Sequence, residues 1–299
     1  MPTPRRFLAG LLGAFLFSLP SLAGRPVYLA LGDSIAWGTT NAVPVSTGEQ
    51  GYVKPLGDYL GAACYGGERP KVDNLAISSE LSSSFFTGVN PPGWERSVAA
   101  NLNYADPLQS QHDRFLATVA AEKAAGNHID VVSFALGAND LFYLIQTPAF
   151  QDPSADRAAM VQQTFQGVGA RYGTFLTELR ALLPDAQLLL PTYYNPFGFL
   201  GPANALNQAA DGAMLTHAGI VQAAAAQFGG TAVDFYSPFV GHETEYTYIL
   251  AGDVHPNAAG YNVLAGQMER AVVCPIPEPG SLALLALGVP LTALMRRRR

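Results

Sequence analysis

The sequence predicts an α/β domain built on a parallel sheet with helices on both faces. Between residues 24 and 276 the chain alternates short, mostly apolar segments with longer stretches of helical periodicity, an order typical of βαβ units. Several short segments are nearly continuous apolar runs, as expected for parallel strands that are covered on both faces. About 250 residues lie between the two ends, and an α/β domain of that length can be a single unit.

Each element is predicted from its own pattern. Strands are predicted at residues 27–31, 72–75, 131–136, 188–193 and 232–235. The longer periodic stretches are predicted as helices at residues 52–63, 110–125, 155–183, 203–228 and 257–273. Residues 81–108 are rich in Ser, Asn, Pro and Gly, so this segment is either a functional flap at the end of the second strand or a plain surface insertion.

Both ends of the chain are predicted to be targeting segments outside the folded domain, which we place at residues 24–276. Residues 1–23 contain two arginines, an apolar stretch and a terminal Ser-Leu-Ala, the pattern of a secretory signal peptide cut after Ala23. Residues 277–299 start with Pro-Glu-Pro and end in four arginines. The apolar segment between them is shorter than the ~20 residues of a usual membrane span.

The C-terminal segment resembles the PEP-CTERM sorting signal of Gram-negative bacteria. That resemblance implies an exported protein, processed by signal peptidase and an exosortase, that resides in the periplasm, on the outer surface or in the extracellular matrix. The arginine cluster would keep the end of the tail on the cytoplasmic side and leave the folded domain outside. The alternative is that the tail is a short membrane anchor that is not cleaved.

The charge of the central part argues against one class of partner. Residues 24–276 contain 11 of the 17 Lys and Arg residues and 22 of the 23 Asp and Glu residues, a formal net charge of about −11. A domain this acidic repels polyanions, so we expect no nucleic-acid partner. The sequence has no glycine-rich phosphate-binding loop and no cluster with metal-ligand spacing, so we expect no cofactor and no metal.

Four polar segments stand where predicted strands end or where the last helix begins. They are Gly-Asp-Ser at 32–34, Ser-Ser at 78–79, Gly-Ala-Asn-Asp at 137–140 and Asp-Val-His-Pro at 253–256. Any one of them can be a turn or a helix cap. All four in this order are hard to explain without a site, because open α/β sheets bind ligands beyond the carboxyl ends of their strands.

These residue types suit acyl transfer. A serine exposed in a turn after a strand, as we expect for Ser34, can act as a nucleophile when a base is supplied. Imidazole suits the base because its pKa lies near neutrality, which favours His255. An asparagine amide is a neutral donor for a developing oxyanion, which favours Asn139.

The four segments resemble the sequence blocks of the SGNH (GDSL) hydrolase family and occur in that family's order. The resemblance implies a three-layer α/β/α sandwich with a five-stranded parallel sheet, and hydrolysis of a small-molecule, lipid or acylated-glycan ester. It implies Ser34 as the nucleophile and His255 as the base, with the Ser34 backbone N–H and the Asn139 amide as oxyanion donors. Ser79 stands where the family has a glycine. Its N–H can still donate to the oxyanion, although serine adopts positive φ less readily than glycine.

The third member of the triad departs from the family pattern. The family's aspartate lies three residues before the histidine, where this chain has Gly252. In an extended segment the side chains at i and i+2 point the same way, so we expect Asp253 to orient His255. A backbone carbonyl near Gly252, or Asp234 at the end of the fifth strand, is the alternative.

Two other functional classes stay open on this fold, because a fold alone does not establish a function. One is a catalytically inactive carbohydrate-binding or matrix protein on the surface. The other is an acyltransferase that passes the same acyl-serine to an acceptor other than water.

The chain has two cysteines, Cys64 and Cys274. The predicted export signal would place them in an oxidising compartment, and the resemblance implies that the first and last helices pack side by side. We therefore expect a disulfide between them, with a pair of buried free thiols as the alternative.

Overall fold

The computed structural model describes residues 24–274. The predicted signal peptide (1–23) and the predicted sorting tail (277–299) lie outside the described residues.

The sheet confirms the predicted fold class. Its strands are β1 (Pro26–Gly32), β2 (Lys71–Asn74), β3 (His128–Ala135), β4 (Gln187–Pro191) and β5 (Thr231–Val233). Each pairs in parallel with its neighbours in the order β2-β1-β3-β4-β5. The result is a five-stranded parallel sheet of the doubly wound kind.

Two predicted strands run two residues past the observed carboxyl ends, and two others run one residue past them. The apolar runs predict strands to residues 193 and 235, whereas β4 ends at Pro191 and β5 at Val233. The Thr192 N–H still donates to the Val233 carbonyl at 2.9 Å, but the Phe235 N–H donates to the Thr192 side chain at 2.9 Å and not to a backbone carbonyl of β4. The buried residues continue past the last backbone hydrogen bond of the sheet. The sequence pattern therefore cannot predict at which residue the strand ends.

The described residues form ten α-helices, of which the five long ones correspond to the predicted helices. The ten are α1 (Ser34–Trp37), α2 (Val53–Cys64), α3 (Ser84–Thr87), α4 (Gln111–Ala124), α5 (Ala138–Gln146), α6 (Pro148–Gln151), α7 (Arg157–Leu182), α8 (Ala205–Phe228), α9 (Glu243–Tyr246) and α10 (Ala258–Ala271). Short 3₁₀ helices occur at Val98–Ala100, Gly198–Leu200, Ser237–Phe239 and Ile249–Ala251.

Polar side chains cap the starts of four of the five long helices. Ser110 caps α4, Asp156 caps α7, Asn204 caps α8 and Asn257 caps α10, each accepting a hydrogen bond from a backbone N–H of the first turn. The predicted helices begin one or two residues too early because the pattern counts the capping segment as part of the helix.

The helices cover both faces of the sheet. Crossovers between parallel strands are right-handed, and the step from β1 to β2 runs opposite to the later steps. Helix α2 therefore lies on one face, where it contacts α10, and α4, α7 and α8 lie on the other. The core between the layers is dense in aromatic residues, with Tyr28, Trp37, Phe115 and Phe175 buried. No helix in residues 24–274 is long and apolar enough to span a bilayer.

The predicted disulfide between Cys64 and Cys274 is confirmed. The two Cα atoms lie 4.8 Å apart and the bridge joins residues separated by 210 positions. Cys64 is the last residue of α2, whereas Cys274 lies three residues beyond the end of α10 at Ala271. The packing of α2 against α10 brings the two cysteines together.

Candidate active site

The four polar segments meet at the carboxyl edge of the sheet. Ser34 follows β1, Ser79 follows β2, Asn139 follows β3, and His255 lies in the segment before α10. Strand β1 lies between β2 and β3, so the strand order reverses at its end, where doubly wound sheets bind their ligands. All four residues line one cavity of about 1230 Å³.

Ser34 is the first residue of the short helix α1. Asp33 caps this helix by accepting a hydrogen bond from the Ile35 N–H at 3.0 Å. The expectation that Ser34 is exposed is wrong, because the residue is only 8 % exposed at the floor of the cavity. Within residues 24–274 its backbone N–H has no hydrogen-bond acceptor, as is usual in the first turn of a helix.

Asp33 precedes the candidate nucleophile Ser34 in the chain, and it is only 1 % exposed. Tyr193, just past the end of β4, donates its hydroxyl proton to Asp33 Oδ2 at 2.5 Å. Burial raises the pKa of Asp33 to about 7, although the hydrogen bonds from Tyr193 and from the Ile35 N–H oppose that rise. The sequence shows Asp33 only as part of a turn, and nothing in the local pattern pairs it with Tyr193.

Asp253 and His255 form a pair. Asp253 Oδ1 lies 2.5 Å from His255 Nδ1 and also accepts a hydrogen bond from the His255 backbone N–H at 3.0 Å. Backbone hydrogen bonds hold this segment against the chain before it, from Tyr248 N to His255 O at 3.0 Å and from Asn257 N to Tyr246 O at 2.9 Å. The carboxylate is therefore placed to accept a hydrogen bond from Nδ1–H and to fix the orientation of the ring.

The two alternative partners for His255 are not at the ring. Asp234 does not line the cavity, and its carboxylate accepts hydrogen bonds from the backbone N–H groups of Tyr236 and Ser237 at 2.9 and 3.0 Å. Among the described residues no backbone carbonyl near Gly252 forms a hydrogen bond with the ring, whose Nδ1 is bonded to Asp253.

Ser34 and His255 both line the cavity, but their side chains are not hydrogen-bonded to each other. Within residues 24–274 the Ser34 hydroxyl makes no hydrogen bond to the His255 ring. Contacts between a nucleophile and its base are often long without substrate and shorten when it binds.

Ser79 adopts φ of 66°, the single positive φ of a non-glycine residue in residues 24–274. Its carbonyl accepts hydrogen bonds from Trp94 Nε1 at 2.9 Å and from Asn90 Nδ2 at 3.2 Å. In the described part of the chain its backbone N–H has no acceptor. The left-handed turn that a glycine would form readily is therefore formed by a serine whose carbonyl is fixed from residues 90 and 94.

Asn139 lies in the first turn of α5 and is held through its side chain. Its Nδ2 donates one hydrogen bond to Glu80 O at 3.1 Å, which leaves the second amide hydrogen for another acceptor. The next residue, Asp140, accepts hydrogen bonds from the backbone N–H and the hydroxyl of Ser82 at 2.9 and 2.6 Å. These contacts bind the start of α5 to the segment after β2.

A buried ion pair anchors segment 81–108. Glu80 is fully buried and accepts two hydrogen bonds from Arg96, Nε to Oε1 and Nη2 to Oε2, each at 3.0 Å. Gln111 joins this pair to β1, since it donates to Glu80 Oε2 at 3.2 Å and bonds both the N–H and the carbonyl of Gly32. The segment contributes Trp94 to the cavity and otherwise packs on the domain.

Within residues 24–274 no group of three or more His, Cys, Asp and Glu residues could hold a metal ion.

Fold and site together define an α/β protein with a serine, a carboxylate–histidine pair and free backbone N–H groups in one cavity. The model of the GDSL-like lipase/acylhydrolase family matches residues 30–263, most of the chain. The chain belongs to this family and is an ester-hydrolysing enzyme. Comparison with curated proteins gave no significant match.

Solved structures share the fold at low sequence identity. The acetylxylan esterase Axe2 from Geobacillus stearothermophilus superposes with a TM-score of 0.53 at 20% identity, over 83% of this chain and 94% of that one. The lipase Lip_vut3 from a goat rumen metagenome gives 0.57 at 20% identity, over 83% and 98%. A putative GDSL-like lipase from Parabacteroides merdae gives 0.54 at 18% identity, over 84% and 96%.

Proposed function

We propose that this protein is an exported serine esterase that hydrolyses a carboxylic ester through an acyl-serine intermediate. The observation that carries the proposal is the shared cavity of Ser34 and the Asp253–His255 pair. A nucleophile, a base and a group that orients the base are the parts that this chemistry needs.

Acylation is the first step. His255 accepts the hydroxyl proton of Ser34 while the Ser34 oxygen attacks the ester carbonyl carbon. The tetrahedral oxyanion accepts hydrogen bonds from the N–H groups of Ser34 and Ser79 and from the Asn139 amide. The alcohol then leaves with the proton from His255, and the acyl group stays on Ser34.

Deacylation repeats the sequence with water. His255 takes a proton from the water as it attacks the acyl carbon, and the departing Ser34 oxygen regains that proton when the acid is released. Asp253 keeps the other ring proton on Nδ1 and stabilises the imidazolium in both steps. The oxyanion donors favour the transition state, since loss of one such donor typically costs about 100–1000-fold in rate.

Ser34→Ala tests the proposal. We expect the variant to keep its fold and to lose both hydrolysis of p-nitrophenyl acetate and labelling by a fluorophosphonate probe. Ser237→Ala is the matched control, because Ser237 is an exposed serine outside the cavity. Wild-type turnover in a folded Ser34→Ala protein would refute the proposal.

The same experiment separates the other functional classes. A wild-type protein that is not labelled at Ser34 would be an inactive binding or matrix protein. A labelled protein that forms a new ester from an added alcohol faster than it forms the free acid would be an acyltransferase.

Export and sorting are part of the proposal. The sequence patterns at residues 1–23 and 277–299 support cleavage by signal peptidase and by an exosortase, with the mature protein in the periplasm, on the outer surface or in the matrix. Intact-mass measurement of the protein from its native host tests this. We expect an N-terminus at Gly24 and loss of the tail only in cells with an active exosortase.

A further inference from the structure

The active-site cavity extends far beyond the residues that the reaction needs. One part of its wall consists of α5 together with the first half of α7 and the first two thirds of α8. We call this part the α7–α8 crevice. It is lined by Leu141, Val161, Phe165, Gly169, Ala213 and Ile220.

We propose that the α7–α8 crevice binds the alkyl chain of a lipid-like ester, so that the enzyme prefers long-chain esters to acetyl esters. This inference rests on the proposed esterase function and names its substrate class.

The crevice has an apolar floor and a polar rim. Phe165, Ala213 and Met214 are buried and line it. Its polar residues are exposed, and the side chains of Arg157 and Gln208 donate hydrogen bonds to nearby backbone carbonyls instead of facing inward unpaired. A site for sugar hydroxyls would need buried polar partners, whereas an alkyl chain needs an apolar floor.

The size of the cavity exceeds what an acetyl group fills. Its volume of about 1230 Å³ is above the range of about 300–1,000 Å³ that is usual for sites of drug-sized ligands. The lining residues of α7 extend from Arg157 to Gly169, roughly 18 Å of helix at 1.5 Å per residue. An extended chain advances roughly 1.2 Å per bond, so this length corresponds to about fifteen bonds, a chain of roughly sixteen carbons.

Apolar residues are also exposed where the cavity opens. Val43, Ile145 and Leu206 line the cavity and are 37, 37 and 49 % exposed. A neutral alkyl chain could pass these side chains on its way to the floor. Apart from the rim residue Arg157, the charged residues that line the cavity, Asp33 and Asp253, belong to the catalytic end.

Two series of esters test the proposal and identify which side of the ester occupies the crevice. In one series the acyl chain of p-nitrophenyl esters grows from two to about twenty carbons, past the roughly sixteen that the crevice length allows. In the other the alcohol of acetate esters grows over the same range, and all substrates stay below their aggregation concentrations. We expect kcat/KM to rise about fourfold per added methylene in one series, equivalent to ~0.8 kcal/mol, and then to level off near the fitted length.

Gly169→Leu tests the location. A Cβ on Gly169 would lie 3.6 Å from the Ile220 side chain, so a leucine there would narrow the crevice. We expect kcat/KM for the preferred long ester to fall about tenfold or more, a much larger factor than any fall for the acetate ester. Gly173→Leu is the matched control, since Gly173 is also on α7, has open space around its Cβ and does not line the cavity.

The outcomes separate this inference from the proposed function. Acetate hydrolysis and probe labelling that depend on Ser34, with no rise in either chain-length series, would overturn the crevice proposal and leave the esterase proposal standing. Equal losses in Gly169→Leu and Gly173→Leu would also overturn it. A rise in either series that Gly169→Leu alone abolishes supports it.

Discussion

Replacing Ser79 with glycine should stabilise the protein without reducing its activity. A left-handed backbone costs an L-residue about 1–2 kcal/mol, and Ser79 has φ of 66°. Glycine adopts this φ without that cost, but it loses about 0.4–1 kcal/mol more conformational entropy on folding. In residues 24–274 the Ser79 hydroxyl makes no hydrogen bond that glycine would lose. The net gain is therefore about 0.5–1 kcal/mol, or about 1–4 °C in Tm for a domain of this size.

Thermal unfolding of wild type, Ser79→Gly and Ser79→Ala at one pH measures this gain. Alanine keeps the Cβ and the strained φ, so Ser79→Ala should have the same Tm as wild type to within about 1 °C. Both variants keep the backbone N–H that is proposed to bind the oxyanion, so kcat should change less than about twofold. A Ser79→Gly protein no more stable than Ser79→Ala would show that the positive φ stores no strain, and the reasoning would fail.

Three further changes have defined outcomes. Asp253→Asn should lower kcat toward the ~10⁴-fold loss typical of a neutralised triad aspartate, and a variant that keeps most of its turnover would exclude Asp253 as the orienting group. Burial raises the pKa of Asp33 to about 7, so stability present at low pH is lost as the pH rises through that value. Between pH 5 and pH 8 the unfolding free energy of Asp33→Asn, measured with urea, should fall by about 2–3 kcal/mol less than that of wild type. Equal falls in the two proteins would contradict the raised pKa of Asp33. The double variant Cys64→Ser/Cys274→Ser should lose about 2–5 kcal/mol of unfolding free energy, and a Tm equal to that of wild type would contradict a stabilising bridge.

The sequence patterns predicted features that depend on residues close together in the chain, and the family resemblance added one pair of distant residues. Most of the strands follow from apolar runs, and the Asp253–His255 pair follows from the i, i+2 spacing of the two residues. The disulfide followed from a pair of cysteines and from the helix packing that the family resemblance implies.

The features that the sequence did not predict depend on distant residues. Tyr193 reaches Asp33 across 160 positions, and no local pattern marks that pairing. The burial of Ser34 is set by cavity walls from helices far along the chain, so a turn motif alone suggests an exposed serine. Trp94 is visible in the sequence only as an aromatic residue in a polar segment, and its bond to the Ser79 carbonyl appears only when the chain is folded.

The disulfide changes what a break in the chain would do. Ser34 precedes Cys64, and His255 lies between Cys64 and Cys274, so a single cut between residues 64 and 255 puts nucleophile and base on different fragments. The bridge keeps those fragments covalently joined, and a tethered fragment reassociates at an effective concentration that dilution does not lower. Nicked enzyme should therefore stay active at any protein concentration until a reductant frees the two pieces.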